Sequence, residues 1–143
     1  MIIYSNIMAF SAVLEIGDNE VKRYYKQYLL TDLRLVLNRS YTVIPEGVAR
    51  CERLELTVVA PGKKDLFMFE WFLRSHSITG RIVVSLTGDV NDAETDNQVI
   101  YFQDAQCFSM SENYDIDSSR RRSLKMALVS DKIDIEDLTF KCL

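Results

Sequence analysis

Large apolar side chains recur at every second position along most of this chain, and that period limits its fold more than any other feature. Phe10, Ala12, Leu14 and Ile16 alternate with Ser11, Val13 and Glu15. Such alternation gives one face to a core and the other to solvent, which is the mark of a half-buried strand. The pattern returns at Leu33, Leu35 and Leu37, at Leu54, Leu56 and Val58, at Ile82, Val84 and Leu86, and at Leu124, Met126 and Leu128. A longer strand is expected from Gln98 to about Tyr114, with Asp104-Ala105-Gln106 as a bulge, and a last short segment holds Ile133, Ile135, Leu138 and Phe140. Turn residues separate these runs at Gly17-Asp18-Asn19, Ala60-Pro61-Gly62 and Asp115 to Ser119. Two stretches break the rhythm. Glu20 to Tyr28 suits either a short helix or a strand edge, and Arg39 to Arg50, punctuated by Pro45-Glu46-Gly47, reads as a projecting loop over 39–50.

One segment has helical spacing. Asp65 can cap a helix over 65–75 by accepting hydrogen bonds from the orphan amides of its first turn. The run that follows, Leu66 to Ser75, places Leu66, Phe69 and Leu73 on one stripe and pairs Phe67 with Trp71 and Met68 with Phe72. These side chains cover nearly the whole circumference, and a helix apolar all round must be buried on all sides. A small sheet covers only one side, so the rest is expected to meet another part of the fold or another subunit. Leu66, Phe67, Phe69, Trp71 and Phe72 are therefore the candidate subunit interface, in keeping with the enrichment of aromatic and Met side chains in interface cores.

The chain of 143 residues fits one domain spanning 1–143, with residues 1–8 a possible amino-terminal extension if Met8 is the start. Strands joined by short turns predict a mainly β fold: a small antiparallel β-barrel, two packed sheets, with one flanking α-helix. Hydrophobic residues at 48% and charged residues at 27% exclude wholesale disorder. A net charge of −4 argues against nucleic acid as the main partner. The longest uncharged stretch, Met1 to Leu14, is too short and too polar to span a bilayer, so no membrane insertion is expected. Met1 to Ile16 holds no Lys or Arg, which removes the basic region of a signal peptide; any export would not read a cleaved signal. Cys51, Cys107 and Cys142 form no metal or disulfide spacing and fit reduced thiols in the cytoplasm.

Catalytic chemistry finds little to use. His76 is the single histidine and has no nucleophile motif beside it, so a helix-end role suits it better than general base catalysis. Asp89, Asp92, Glu94 and Asp96 offer oxygen ligands but lack the glycine and terminal glutamate of a calcium loop. Arg120-Arg121-Arg122 is a basic run among acidic neighbours, better read as pairing across a sheet or subunit edge than as an anion site. The glycines stand singly at turns, so no phosphate-cradling loop is present. No catalytic residue, cofactor or metal is expected. Two classes of function remain: an assembly subunit, or a monomeric small barrel acting as a binding module for an apolar ligand or a protein partner.

Several short motifs occur in a telling order: Met8-Ala9-Phe10 opening a strand and tight turn, Leu37-Asn38-Arg39 closing one, then Phe69-Glu70-Trp71-Phe72, Gly80-Arg81-Ile82, Tyr101-Phe102-Gln103-Asp104-Ala105, and a closing alternating strand from Ser123 to Val129. This order resembles the tube protein of type VI secretion systems, the haemolysin-coregulated protein family, in its Bacteroidetes-like form, over about Met8 to Phe140. Pro45-Glu46-Gly47 stands where the family usually carries Gly-Arg-Pro. The resemblance implies a small barrel with a flanking helix, assembled as a homo-hexamer whose rings stack into a tube that a contracting sheath drives out of the cell. It implies spike proteins and effectors as further partners, and a mechanical rather than enzymatic role. Contact between rings then falls to the projecting loop, with Ile44, Pro45, Glu46, Gly47 and Arg50 as its residues. Exposed strand edges would be covered by neighbours in the ring.

Overall fold

The alternating runs fold as strands, and their inward residues make one core. The structure is a computed structural model and describes residues 11–39, 49–59, 61–85, 97–115 and 121–142, without the side chains of 49, 50, 115, 121, 141 and 142. In chain order the elements are β1 (Ser11–Asp18), β2 (Arg23–Arg39), β3 (Ala49–Val59), α1 (Phe67–Arg74), β4 (Ile78–Ser85), β5 (Asn97–Asp115), β6 (Arg121–Val129), β7 (Lys132–Ile135) and β8 (Leu138–Cys142).

Two long strands organise the barrel. The first half of β2 pairs with β1 and its second half with β3. The first half of β5 pairs with β4 and its second half with β6. Strand β1 joins β4, and β3 joins β6, all antiparallel, so one sheet is β2-β1-β4-β5 and the other is β2-β3-β6-β5. Both share β2 and β5 as corners, which closes the barrel. Hairpin β7–β8 fills the remaining gap, β7 along β5 and β8 parallel to the start of β3. Closure pairs the edges of the six barrel strands within the chain, where the sequence suggested that neighbours would cover them.

The core is apolar and filled. Leu14, Ile16, Leu54, Leu56, Met68, Trp71, Ile82, Phe102, Leu124, Met126, Leu128 and Ile133 are almost fully buried. Each such side chain contributes roughly 1.5–3 kcal/mol relative to exposure. Phe10 and Leu86, expected at strand positions, lie outside the described residues. Glu20 to Tyr28 resolves into a turn and the start of β2. Its period is masked by a register slip between Ile16 and Gly17, which leaves Tyr25 without a partner on β1. The expected bulge in β5 is present, with Asp104 at φ 52° and a register shift between Ile78 and Gly80.

Two glycines allow the close approach of β1, β2 and β4. A Cβ on Gly17 would meet the carbonyl oxygen of Arg23 at 2.1 Å, and one on Gly80 would meet that of Glu15 at 2.2 Å. Asn19 fixes the turn beside them, donating from Nδ2 to the carbonyls of Gly80 (2.9 Å) and Phe102 (3.1 Å) and accepting from Tyr24 OH (2.7 Å). Buried Ser130 serves the crossing from β6 to β7: its hydroxyl accepts the Gln103 amide at 3.1 Å and lies 2.7 Å and 2.9 Å from the carbonyl oxygens of Gln103 and Lys132.

Candidate assembly surface

Helix α1 is pinned to the barrel at its amino-terminal end. It begins at Phe67, not Asp65, because Leu66 occupies the cap position; Asp65 stands one residue earlier and accepts the Phe67 amide at 3.1 Å. The same carboxylate takes Lys26 Nζ at 3.0 Å and Tyr28 OH at 3.1 Å. Burial alone would raise the pKa of Asp65, but the Lys26 hydrogen bond, the Phe67 amide and Tyr28 hold it below the usual carboxylate range. Burial and the Asp65 carboxylate push the Tyr28 phenol up. The Phe67 ring stacks on Tyr28 with centroids 6.4 Å apart, meets Tyr25 edge-on, and has Lys26 Nζ 5.4 Å from its centroid. At the other end of the helix Ser75 turns left-handed, at φ 56°.

This attachment buries one face only. Met68 and Trp71 are 0% exposed, with Trp71 Nε1 donating to the carbonyl of Ala105. Phe67 and Phe69 are half-buried against the barrel. Leu66 at 52%, Phe72 at 42% and Leu73 at 78% stand in the open. The circumference expected to be buried all round is thus covered on one side by this chain and left bare on the other. Of the five residues picked as an interface, Trp71 is out of reach of any partner, and Leu73, not among the five, is the most exposed of the helix's large apolar side chains.

A second apolar feature lies on the outside of sheet β2-β1-β4-β5. Register makes Leu29, Val13, Val83 and Val99 neighbours across the four strands. Leu29 is 54% exposed and the three valines are half-buried. These residues occupy the outward phase of strands whose inward phase fills the core, so the usual reading of alternation passes them over. The signal was present as apolar residues in both phases of β1 and β4. The next row is polar and internally satisfied. Glu15, 9% exposed, takes Arg81 Nε at 2.7 Å and Gln27 Nε2 at 2.7 Å, and the Arg81 guanidinium lies 4.3 Å above the Tyr24 ring. Arg81 is pushed up by Glu15 despite the opposing effect of burial.

The remaining candidates fall as follows. Ile44, Pro45, Glu46 and Gly47 lie outside the described residues. Arg39 ends β2 and Arg50 lies in β3, so the expected loop 39–50 is shorter at both ends. The acidic residues Asp89, Asp92, Glu94 and Asp96 also lie outside. Arg122 is engaged inside the chain, donating to the Pro61 carbonyl at 3.0 Å and forming an ion pair with Glu112 at 3.2 Å that is not aligned as a hydrogen bond. His76 is exposed just past α1. Burial pushes the Cys107 thiol up to about 11. Among the described residues no group of three or more His, Cys, Asp and Glu could hold a metal, and no helix is long and apolar enough to cross a membrane. A described groove of about 490 Å³ lies between the β1–β2 turn and hairpin β7–β8, outside the filled barrel.

Comparison with known proteins follows the same lines. The profile of the family described as Hemolysin coregulated protein Hcp (TssD) matches residues 8–142. Hcp1 from Flavobacterium johnsoniae is similar with a TM-score of 0.68 at 17% identity, over 92% of this chain and 98% of that one. Hcp1 from Salmonella typhimurium gives 0.63 at 13% identity, over 88% and 85%. A type VI secretion system effector from Yersinia pestis gives 0.56 at 8% identity, over 87% and 86%. At such identities these likenesses speak for the fold. No curated protein sequence is a match. The chain belongs to the haemolysin-coregulated protein family.

Proposed function

We propose that this member of the family is a structural subunit of the type VI secretion inner tube, that six copies close into a ring, and that the rings stack and carry effectors. The family match over residues 8–142 carries this reading. The surface agrees with it. A cyclic ring joins unlike patches head to tail, and among the described residues the chain exposes apolar side chains on helix α1 and, separately, on the outside of sheet β2-β1-β4-β5. The ridge of Leu66, Phe72 and Leu73, flanked by Phe67 and Phe69, is assigned to one side of the subunit contact. The flat row of Leu29, Val13, Val83 and Val99 is assigned to the other. Ile44, Pro45, Glu46, Gly47 and Arg50 are assigned to contact between rings.

The role is mechanical, not enzymatic. The sheath, the spike and the effectors are the further partners, and the chain leaves the cytoplasm within the tube, without a cleaved signal peptide. The alternative of a monomeric barrel holding an apolar ligand has less behind it, because the barrel interior is occupied by its own side chains. The test is Leu73→Asp. The reading expects a folded subunit by circular dichroism that no longer forms rings by light scattering. Rings of unchanged stability would refute the helix ridge as an interface.

A further inference from the structure

Two long charged side chains stand where glycine would be easier. Among the described residues, four that are not glycine have positive φ: Lys22 at 55°, Ser75 at 56°, Asp104 at 52° and Glu136 at 54°. Ser75 closes helix α1, and Asp104 sits at the β5 bulge as a residue type that tolerates the left-handed region. Lys22 and Glu136 have no such reason. They lie in the β1–β2 turn and at the tip of hairpin β7–β8, where glycine would adopt the same backbone without a strained Cβ. Among the described residues neither side chain makes a hydrogen bond or an ion pair. Strain kept in this way collects at functional sites.

The two residues line one groove, of about 490 Å³. Its floor is β5 and β7, where Tyr101 pairs with Asp134 and Gln103 with Lys132. Asn19 fixes the wall formed by the β1–β2 turn, donating to the carbonyls of Gly80 and Phe102, and Glu20 and Lys22 belong to that wall. Glu136 belongs to the wall formed by the hairpin. Five charges of both signs thus share the groove: Lys22 and Lys132 with Glu20, Asp134 and Glu136. Among the described residues no ion pair joins any two of them. Asp134 accepts from Thr139 Oγ1 at 2.6 Å, and Lys22 Nζ stands 6.0 Å from the centroid of the Tyr101 ring, at the outer limit of a cation–π contact. A ligand of a single sign would meet like charges here, and an apolar one would strip water from all five without replacing it. A ligand that carries both signs satisfies both sets.

We propose that this groove binds a short peptide with free ends, its carboxylate at Lys22 and Lys132 and its ammonium at Glu20 and Glu136. The volume lies within the range of small-molecule sites. The left-handed residues are then explained: their side chains serve recognition, at a cost in strain that glycine would avoid. The site lies outside the filled barrel and goes beyond the tube reading, since it needs neither a ring nor a stack of rings.

The experiment titrates the full chain with tetra-alanine in four forms: free, acetylated at the amino end, amidated at the carboxyl end, and blocked at both. Calorimetry reads the affinity, and thermal unfolding reads the stability of Lys22→Gly and Glu136→Gly. The free peptide should bind, and each single block should weaken it roughly tenfold, as expected for loss of a hydrogen bond to a charged group. Lys22→Gly should weaken the free peptide by a similar factor but leave the amidated one almost unchanged. Glu136→Gly should do the converse with the acetylated one. Neither variant should lower Tm, because glycine fits both left-handed positions. No binding of the free peptide at millimolar concentration, equal binding of the doubly blocked form, or full binding by both variants overturns the site. A fall in Tm in either variant contradicts the strain on which the argument stands. None of these outcomes depends on assembly, so the tube reading survives each of them.

Discussion

The indole Nε1 of Trp71 donates to the carbonyl oxygen of Ala105 across 3.2 Å, inside the seam between helix α1 and the bulge of β5. One side chain thus ties the only described helix to the strand that corners both sheets. Trp71→Ala should cost roughly 3–5 kcal/mol, the usual range for emptying a large aromatic site. Trp71→Phe keeps most of the apolar volume but leaves the carbonyl without its donor, at about 1–3 kcal/mol. Denaturant unfolding checks both, and equal effects of the two would contradict the role given to the hydrogen bond.

Backbone crowding at Gly80 makes a sharper contrast with Gly62. Gly80→Ala forces a Cβ against the Glu15 carbonyl at 2.2 Å, so β1 and β4 must part, at about 1–3 kcal/mol or more. At Gly62 a Cβ meets nothing within 4 Å. Gly62→Ala should be neutral or stabilise by about 0.4–1 kcal/mol, by narrowing the unfolded ensemble. Thermal unfolding of the two variants side by side reads the difference.

Asp65 predicts part of the acid response. Its folded pKa is depressed, so the unfolded state takes up the proton first as pH falls. Its contribution is full above the unfolded carboxylate range, about 4, and is lost as pH drops through the folded value. Asp65→Asn should cost about 1–2 kcal/mol at neutral pH, from the lost Lys26 and Tyr28 contacts. It should also flatten the acid limb of the stability curve, which unfolding across a pH series would detect.

What the sequence made legible follows from where its forces were local. β3 and β6 were readable because Leu56 and Met126 sit in a period of two, and β1 and β4 because Leu14 and Ile82 recur at every second position even though Val13 and Val83 make the other phase apolar as well. The start of β2 was not, because an inward position holds Lys26. That residue is acceptable there only since Asp65, far along the chain, meets it at 3.0 Å. The helix was readable from Phe69, Trp71 and Phe72, yet its extent of burial was not: whether Leu73 is covered depends on the barrel's width rather than on its own neighbours. Register was the largest blind spot. The apolar row through Val13 and Val83, the Glu15–Arg81 pair and the groove shared by Lys22 and Glu136 join residues distant in sequence, and only strand pairing brings them together.

The measurement that tests the central claim most directly is the mass of the unaltered protein by light scattering after size exclusion, across a concentration series. One chain is 16.5 kDa, and a closed ring of six is about 99 kDa. A species near the ring mass that grows with concentration, as mass action requires of a ring in equilibrium with its subunits, is the predicted result. A strict monomer at the highest concentration would contradict the account.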